Sequence, residues 1–315
     1  MQLPEELQRA VELEIETCPH DSLQRAADQI TKHYRAEKNS GPLFMDSAVR
    51  RAYLAVRMPA TYAAISCALK ECAARLVDWQ PRSMVDIGAG PGTGGWAAAE
   101  QLPTLQVLYN VEQSAPMAEI GQKLSLLSSD RVIREAAWVR PDGIVRADLA
   151  LLSYVVGEMS VSQRFDLLTR LWNLGNQVFI IIEPGTPAGF QRILEIRNWA
   201  LAQGANIIAP CPHIKKCPMQ SPRWCHFPAR VDRTRLHKLL KGGTLGYEDE
   251  KFSYLAFGKI FTQLPSGRVV ENPKKNKGFV QIPLCIDGNL KEVIVSRKQN
   301  EYHIARELNY GDSYM

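Results

Sequence analysis

Three cysteines fall within one short stretch, Cys211-Pro212-His213 through Cys217-Pro218 to Trp224-Cys225-His226-Phe227, and a fourth, Cys285, lies sixty residues further on. Clustered thiols in a chain that begins without an export signal read as metal ligands rather than disulfide partners. Five residues separate the first two cysteines and seven the next two. A structural zinc knuckle keeps its paired ligands about two to four residues apart. Wide, proline-flanked gaps closed by a distant fourth thiol fit a [4Fe–4S] cluster better, with zinc as the alternative. His213 and His226 could replace a cysteine or donate to one from behind. Lys215, Lys216 and Arg223 are expected to favour deprotonated thiols. A metal held by Cys211, Cys217, Cys225 and Cys285 would tie residues 211–225 to the C-terminal region, so its binding would be folding energy. The competing reading is four unconnected buried cysteines. For Cys18, Cys67 and Cys72, which fall on helical, partly apolar segments, small buried hydrophobes is the better reading.

A second chemical motif is Val85-Asp86-Ile87-Gly88-Ala89-Gly90-Pro91-Gly92-Thr93-Gly94-Gly95, which follows a strand and opens a helix. Such glycines allow a tight turn and close approach of a ligand to helix-start N–H groups. The run formally matches the dinucleotide fingerprint, with Glu112 at the end of the next strand where a ribose-binding acid belongs. Asp86, two residues before the first glycine, is awkward beside a pyrophosphate but suits a cationic ligand such as S-adenosylmethionine. The cofactor-binding candidates are therefore Asp86, Gly88, Gly90, Gly92 and Glu112, with S-adenosylmethionine ahead of NAD. No Gly-Lys-Ser/Thr follows the turn, which excludes a Walker-type phosphate loop. Methyl transfer needs mainly alignment of a nucleophile with an activated methyl group. The fourth strand end, Leu151-Leu152-Ser153-Tyr154-Val155-Val156-Gly157-Glu158, carries neither an Asn/Asp-Pro-Pro-Tyr/Phe pattern nor a cysteine nucleophile. Tyr154 and Glu158 are left either facing a substrate or packing and capping, and the catalytic residues are unassigned.

The elements that must position these residues are legible in the hydrophobic periodicity. Residues 1–78 read as helices, with Leu23, Ala26, Ala27 and Ile30, then Tyr62, Ile65, Leu69, Cys72 and Leu76, at helical spacing. Pro59 suits a first helical turn, and Lys38-Asn39-Ser40-Gly41 with Pro42 marks a break. From residue 83 strands and helices alternate. Strands are expected at 84–87, 106–111, 132–136, 148–153 and 177–183, with helices starting near Thr93, Ser114 and Ser160 and another after Pro187. That alternation predicts an α/β, doubly wound, mainly parallel sheet. Strand character resumes at 251–257, and residues 268–295 alternate enough to predict a small β-rich extension. The expected division is a helical region at 1–78, a core at 79–204 and 251–263, a Cys-rich insertion at 205–250 and a basic extension at 264–315.

The 315 residues carry a net charge of +5, unevenly placed. Residues 205–315 hold 18 Lys and Arg against 10 Asp and Glu, while residues 1–204 hold 20 against 23. A basic C-terminal third points to a polyanion, nucleic acid being the usual one, or to a solvated basic surface. No apolar run is long enough for a membrane span, and no membrane partner is expected. The acidic start Met1-Gln2-Leu3-Pro4-Glu5-Glu6 has neither a signal-peptide pattern nor an Arg-rich leader, so the expected setting is a bacterial cytoplasm.

The cysteine stretch from Ala209 to Phe227 resembles the Rsm-type methyltransferase-like family of ribosomal small-subunit proteins. Similar text recurs at Arg57-Met58-Pro59-Ala60-Thr61-Tyr62, at Ser153–Glu158, at Glu183-Pro184-Gly185-Thr186-Pro187, at Glu248–Tyr254 and from Lys274-Lys275-Asn276-Lys277-Gly278 through Cys285, nearly the whole chain. The resemblance implies the class I S-adenosylmethionine-dependent methyltransferase fold, a Rossmann-like sheet. It also implies a [4Fe–4S] cluster on Cys211, Cys217, Cys225 and Cys285, and binding to small-subunit ribosomal RNA or a pre-ribosomal particle. Two functions follow: an RNA methyltransferase, or a non-catalytic assembly factor that uses the same fold and metal site to bind RNA. A radical enzyme that cleaves S-adenosylmethionine is disfavoured, because four cysteine ligands leave no open iron.

Overall fold

The computed structural model describes residues 1–35, 41–126 and 135–314. The expected break at Lys38-Asn39-Ser40 and positions 132–134 of the third expected strand lie outside them. Four helices open the chain: α1 (Glu5–Glu16), α2 (His20–Arg35), α3 (Ser47–Val56) and α4 (Met58–Arg75). In α1 the buried residues Leu7, Ala10, Val11 and Ile15 form one stripe, as an amphipathic helix requires. Helix α4 carries Pro59 in its first turn, where a missing N–H costs nothing, and is buried along most of its length.

Strands and helices then alternate: β1 (Ser83–Ile87), α5 (Thr93–Gln101), β2 (Val107–Val111), α6 (Ala115–Leu126), β3 (Glu135–Val139), β4 (Leu149–Ser153), α7 (Val161–Asn173), β5 (Val178–Pro184), α8 (Pro187–Ala202) and β6 (Asn206–Ala209). After these come β7 (Phe227–Asp232), α9 (Arg235–Lys241) and β8 (Tyr247–Gly258). Ser160 and Gln163 form a capping box on α7, and Thr186 with Pro187 starts α8. The sheet order is β3-β2-β1-β4-β5-β8-β6, with β7 also on β8. The first five strands are parallel, and β8 runs antiparallel to both β5 and β6. This doubly wound order, with one reversed strand inserted before the last, is the class I methyltransferase sheet.

Side-chain alternation divides the core by face. Met84, Leu108, Leu149, Leu151, Ile180 and Ile182 face the N-terminal helices. Val85, Ile87, Ala150, Leu152, Phe179 and Ile181 face α7 and α8. The remaining strands, β9 (Gly267–Val269), β10 (Lys274–Lys275), β11 (Phe279–Ile286), β12 (Asn289–Ser296) and β13 (Ser313–Tyr314), form a second, antiparallel sheet, with α10 (Tyr302–Glu307) between β12 and β13. Its core holds Val269, Val280, Ile282, Leu284 and Val295.

The stretch 205–250 is not set apart from the sheet. Strand β5 pairs with β8 over Phe252–Gly258 on one edge, so β6 and β7 lie in line along the other. The cysteine-bearing loop proper is 210–226, which leaves that edge where β6 ends and returns to it at β7. The observed β3, Glu135–Val139, runs three residues beyond the expected end.

Candidate functional site

Two sites emerge, one beyond the C-terminal ends of β1, β2 and β4 and the other where β6 ends. The first is built on the glycine turn. Gly88, Gly90 and Gly92 have φ of 72°, 56° and 82°, conformations that disfavour a side chain. The backbone N–H groups of Gly88 and Ala89 donate to Val111 O at 2.8 and 3.1 Å, which anchors the turn to the end of β2. The Glu112 carboxylate then closes it, accepting from Gly90 N at 2.8 Å and from Ser114 N at 2.7 Å. Above the turn lies a cavity of about 530 Å³, lined by Gly88, Gly90, Glu112 and Met117 together with Tyr154, Val155, Glu158 and Arg170. That volume suits a small-molecule cofactor with room for a substrate group.

Of the five cofactor candidates, Gly88, Gly90 and Glu112 line this cavity, while Asp86 and Gly92 do not. Asp86 lies beneath the turn, 1% exposed, with no partner for either carboxylate oxygen among the described residues. A Cβ on Gly94 would sit 2.2 Å from its Oδ2, so Gly94 is the space into which this carboxylate packs. Burial, with the nearby Glu112 charge, pushes Asp86 from 3.8 up to about 7.

Tyr154 and Glu158 both reach the cavity wall. Tyr154 adopts a φ of 58°, unusual for an aromatic residue. Its hydroxyl lies 3.1 Å from Glu250, which also pairs with Arg57 at 3.2 Å. Burial, then the Glu250 charge, raises the Tyr154 phenol well above its ordinary value, so it acts as a neutral hydrogen-bond donor. The N-terminal region contributes Phe44, in the turn before α3, and Tyr53 of α3, packed edge to face at 5.4 Å, to the same cavity. These two were not anticipated, because nothing local in a helix sequence says which cavity it will cover.

The second site gathers the cysteines. Cys211, Cys217, Cys225 and Cys285 line one small cavity of about 40 Å³. The first three are half-buried and Cys285 is buried. Cys225 is held by its own carbonyl, which accepts from the Ser253 hydroxyl on β8 at 2.7 Å. Cys285 arrives on β11, where it pairs with Arg268 of β9. Among the described residues no group of three or more His, Cys, Asp or Glu side chains is arranged to hold a metal ion. The four thiols ring a void instead.

Lys215, Lys216 and Arg223 do not supply the positive field expected of them. Lys215 turns outward to Asp287 at 2.7 Å and Arg223 lies 3.9 Å from Glu271, and both are well exposed. The field comes from two buried arginines on the cavity wall, Arg197 and Arg268. Arg197 donates from Nη2 to His213 O and Lys215 O, both at 2.9 Å, while its Nε and Nη1 have no partner among the described residues. Arg268 donates to Pro210 O at 2.8 Å, Gly311 O at 2.9 Å and Glu71 at 2.7 Å. His213 is buried, its Nε2 3.3 Å from Cys285 Sγ, and burial then Arg197 lower its pKa, which keeps the ring neutral. Burial dominates the thiols too: it raises Cys217, lifts Cys225 far above the usual thiol range and takes Cys285 to about 12. Arg197 did carry a signal. It stands four residues after Ile193 and three before Ala200, a charge on the buried stripe of α8.

The donor set suits a cluster. Four thiolates around a [4Fe–4S] core carry surplus negative charge, and two buried guanidiniums, one with unused N–H groups, are the complement such a charge needs away from water. Cys18, Cys67 and Cys72 lie elsewhere, packed with the helical core.

A family model described as mitochondrial small ribosomal subunit Rsm22 matches residues 47–315. The human mitochondrial ribosome assembly protein METTL17 is 26% identical over 285 residues, covering 82% of this chain and 61% of that protein. The Saccharomyces cerevisiae mitochondrial ribosome assembly protein RSM22 is 25% identical over 187 residues, covering 38% of this chain and 30% of that protein. This chain thus spans at most about 61% of the length of these relatives. Among solved structures, magnesium protoporphyrin IX methyltransferase from Synechocystis PCC 6803 with bound SAM superposes with a TM-score of 0.40 at 11% identity, covering 64% of this chain and 80% of that one.

Proposed function

The chain belongs to the family of the mitochondrial small ribosomal subunit protein Rsm22, and on that premise we propose that it is an S-adenosylmethionine-binding, [4Fe–4S]-carrying protein that acts on small-subunit ribosomal RNA during ribosome assembly. The observation that carries this reading is the convergence of Cys211, Cys217 and Cys225, from the loop between β6 and β7, with Cys285 of β11 on one cavity walled by Arg197 and Arg268. Cys211, Cys217 and Cys225 would hold the cluster from the loop and Cys285 from the second sheet. Held by these four residues, a cluster would join the loop to the second sheet. Zinc is the alternative occupant, but a void ringed by thiols supports a multi-atom group over a single ion.

Gly88, Gly90 and Glu112 would hold S-adenosylmethionine at the cavity floor, with Asp86 acting from beneath the turn and Gly92 shaping it. Each Glu112 oxygen is engaged by one backbone N–H, which leaves a lone pair for a ribose hydroxyl. The bound cofactor supplies an electrophilic methyl group, and the chain would align the accepting atom at the Tyr154–Glu158 end. The RNA partner, as pre-ribosomal particle or mature subunit RNA, is supported by the charge of residues 205–315, 18 cationic against 10 anionic. Free thiolates need a reducing compartment, a condition that the bacterial cytoplasm meets.

One observation favours a second reading, the non-catalytic assembly factor. Tyr154 is tied to Glu250 and held neutral, so it supplies no base to an incoming nucleophile. A map of methylated nucleotides in small-subunit RNA, made with and without the protein, separates the two. Under the enzymatic reading at least one methylation disappears when the protein is removed and stays absent with Gly90→Arg, whose side chain would fill the cofactor cavity. An unchanged map, with Gly90→Arg restoring assembly, overturns it and leaves the assembly factor. Purified anaerobically, the protein should carry iron and a visible chromophore. Zinc alone, or no metal, refutes the cluster.

A further inference from the structure

The outer face of the β7–β8 ribbon carries an open groove of about 670 Å³ that shares Met219 and Val270 with the thiol cavity and no residue with the cofactor cavity. It follows from alternation in an extended chain. Through residues 224–230 the odd positions Cys225 and Phe227 turn toward the thiol cavity, and the even positions Trp224, His226, Pro228 and Arg230 turn to the groove. Across β8, Lys251 shares this outer face, and Tyr310 from the C-terminal segment closes one side.

The rings form a graded stack. Trp224 and His226 lie 5.5 Å apart at 30°, and His226 and Tyr310 lie 5.1 Å apart at 43°. Each is half-buried and fixed through a polar edge. The Trp224 indole N–H donates to Gly185 O at 2.9 Å, and the His226 backbone N–H donates to the Tyr310 hydroxyl at 3.2 Å. Exposed cations rim the stack. Arg230 is held by Asp249 at 2.9 Å and lies 4.0 Å over the Tyr247 ring, whereas Lys251 makes no ion pair among the described residues.

We propose that this groove seats a few unpaired nucleotides of RNA, their bases stacked beside Trp224, His226 and Tyr310 and their phosphates met by Lys251 and Arg223. The proposal rests on the RNA-binding reading above and names the element that makes the contact. Aromatic platforms with flanking cations are how single strands are held without sequence readout. Recessed rings admit splayed bases and not the stacked interior of a duplex, so the partner is single-stranded. The segment that bears Trp224 and His226 also bears Cys225 between them, which ties the groove's shape to the thiol site one residue away.

The test is fluorescence anisotropy on the full chain, purified anaerobically, with a short mixed-sequence single-stranded RNA, and with the same RNA annealed to its complement. Tyr310→Ala and Lys251→Ala should each weaken single-strand binding on the order of 10-fold, and Tyr310→Phe should bind as the unaltered protein does. Lys251→Ala should also flatten the salt dependence by about one phosphate contact. Melting curves and visible spectra, unchanged by the exposed Lys251→Ala, show that the fold is intact. Steep, salt-dependent RNA binding that neither variant alters, or a preference for the duplex, overturns the groove and leaves the RNA-binding function standing. No RNA binding by the unaltered protein overturns both.

Discussion

Asp86→Asn should make the cofactor-free protein more stable and less able to bind its cofactor. The carboxylate is buried beneath the glycine turn without a hydrogen-bond partner among the described residues, and burial together with Glu112 moves it from 3.8 to about 7. Because the folded state keeps this proton to higher pH than the unfolded chain, the stability Asp86 leaves intact below about pH 4 is lost as pH rises to about 7. At about 1.4 kcal/mol per unit, the deficit approaches a ceiling of about 4 kcal/mol, of which about 3 kcal/mol develops between pH 5 and pH 8. Asparagine has the same shape and no charge to bury, so it fits against Gly94 and escapes the penalty. Urea unfolding of both proteins at pH 5 and pH 8 measures the difference directly. Other buried acids, Glu183 among them, titrate alike in both and cancel. The unaltered protein should lose up to about 3 kcal/mol relative to Asp86→Asn between those pH values. Calorimetry with S-adenosylmethionine should show the opposite preference, since a cation above the turn is what an ionised Asp86 lacks. Parallel pH profiles, or an Asp86→Asn protein that is the less stable at pH 8, would refute the reasoning.

Two further substitutions probe the packing around the sites. Gly94→Ala places a methyl 2.2 Å from Asp86 Oδ2 and 2.7 Å from Leu151 Cδ2, so it should cost about 1–3 kcal/mol and lower the melting temperature, with loss of cofactor binding. Arg268→Met removes three hydrogen bonds that join Pro210, Gly311 and Glu71. Burial alone would raise Glu71, yet Arg268 and then Arg75 hold it below the usual carboxylate range, so the loss should cost about 2 kcal/mol in chemical unfolding and reduce the metal content of the purified protein.

The sheet was legible because its strands obey simple rules. Val85, Ile87, Leu149 and Ile180 are buried on both faces of a parallel sheet, and such strands read as short apolar runs between turn residues. The glycine turn was legible because its backbone angles exclude other residues. Less was legible where partners are distant in sequence. Strand β6 is four residues long and carries a register shift, too short and irregular to show period two. The cations at the thiol site were misassigned for the same reason. Lys215, Lys216 and Arg223 are neighbours of the cysteines in sequence, but exposed side chains turn to water, and only tertiary packing brings Arg197 and Arg268 to the cavity. The placement of Asp86 behind the turn is likewise set by the Cβ-free space at Gly94, which a residue-spacing argument does not contain.

Strand β8 couples the three functional features through its own alternation. Glu250 turns to the cofactor side, where it holds Tyr154 and Arg57. Lys251 turns to the groove, and its carbonyl accepts from Gly185 N at 2.8 Å, next to the carbonyl that anchors Trp224. Ser253 bonds the Cys225 carbonyl. A one-residue slip of this strand would reverse all of these at once. Its pairing is therefore fixed on both edges, by β5 across Phe252–Gly258 and by β7 across Tyr247–Phe252. Between β6 and β7 the second edge is open opposite Ser253–Leu255, and the cysteine loop leaves the sheet there. A group bound by the four cysteines would close that gap by joining the loop to β11. Holding the loop also holds the edge of β8, and with it the Tyr154 end of the cofactor cavity. Metal loading should therefore change cofactor affinity even though the two sites share no lining residue among those described.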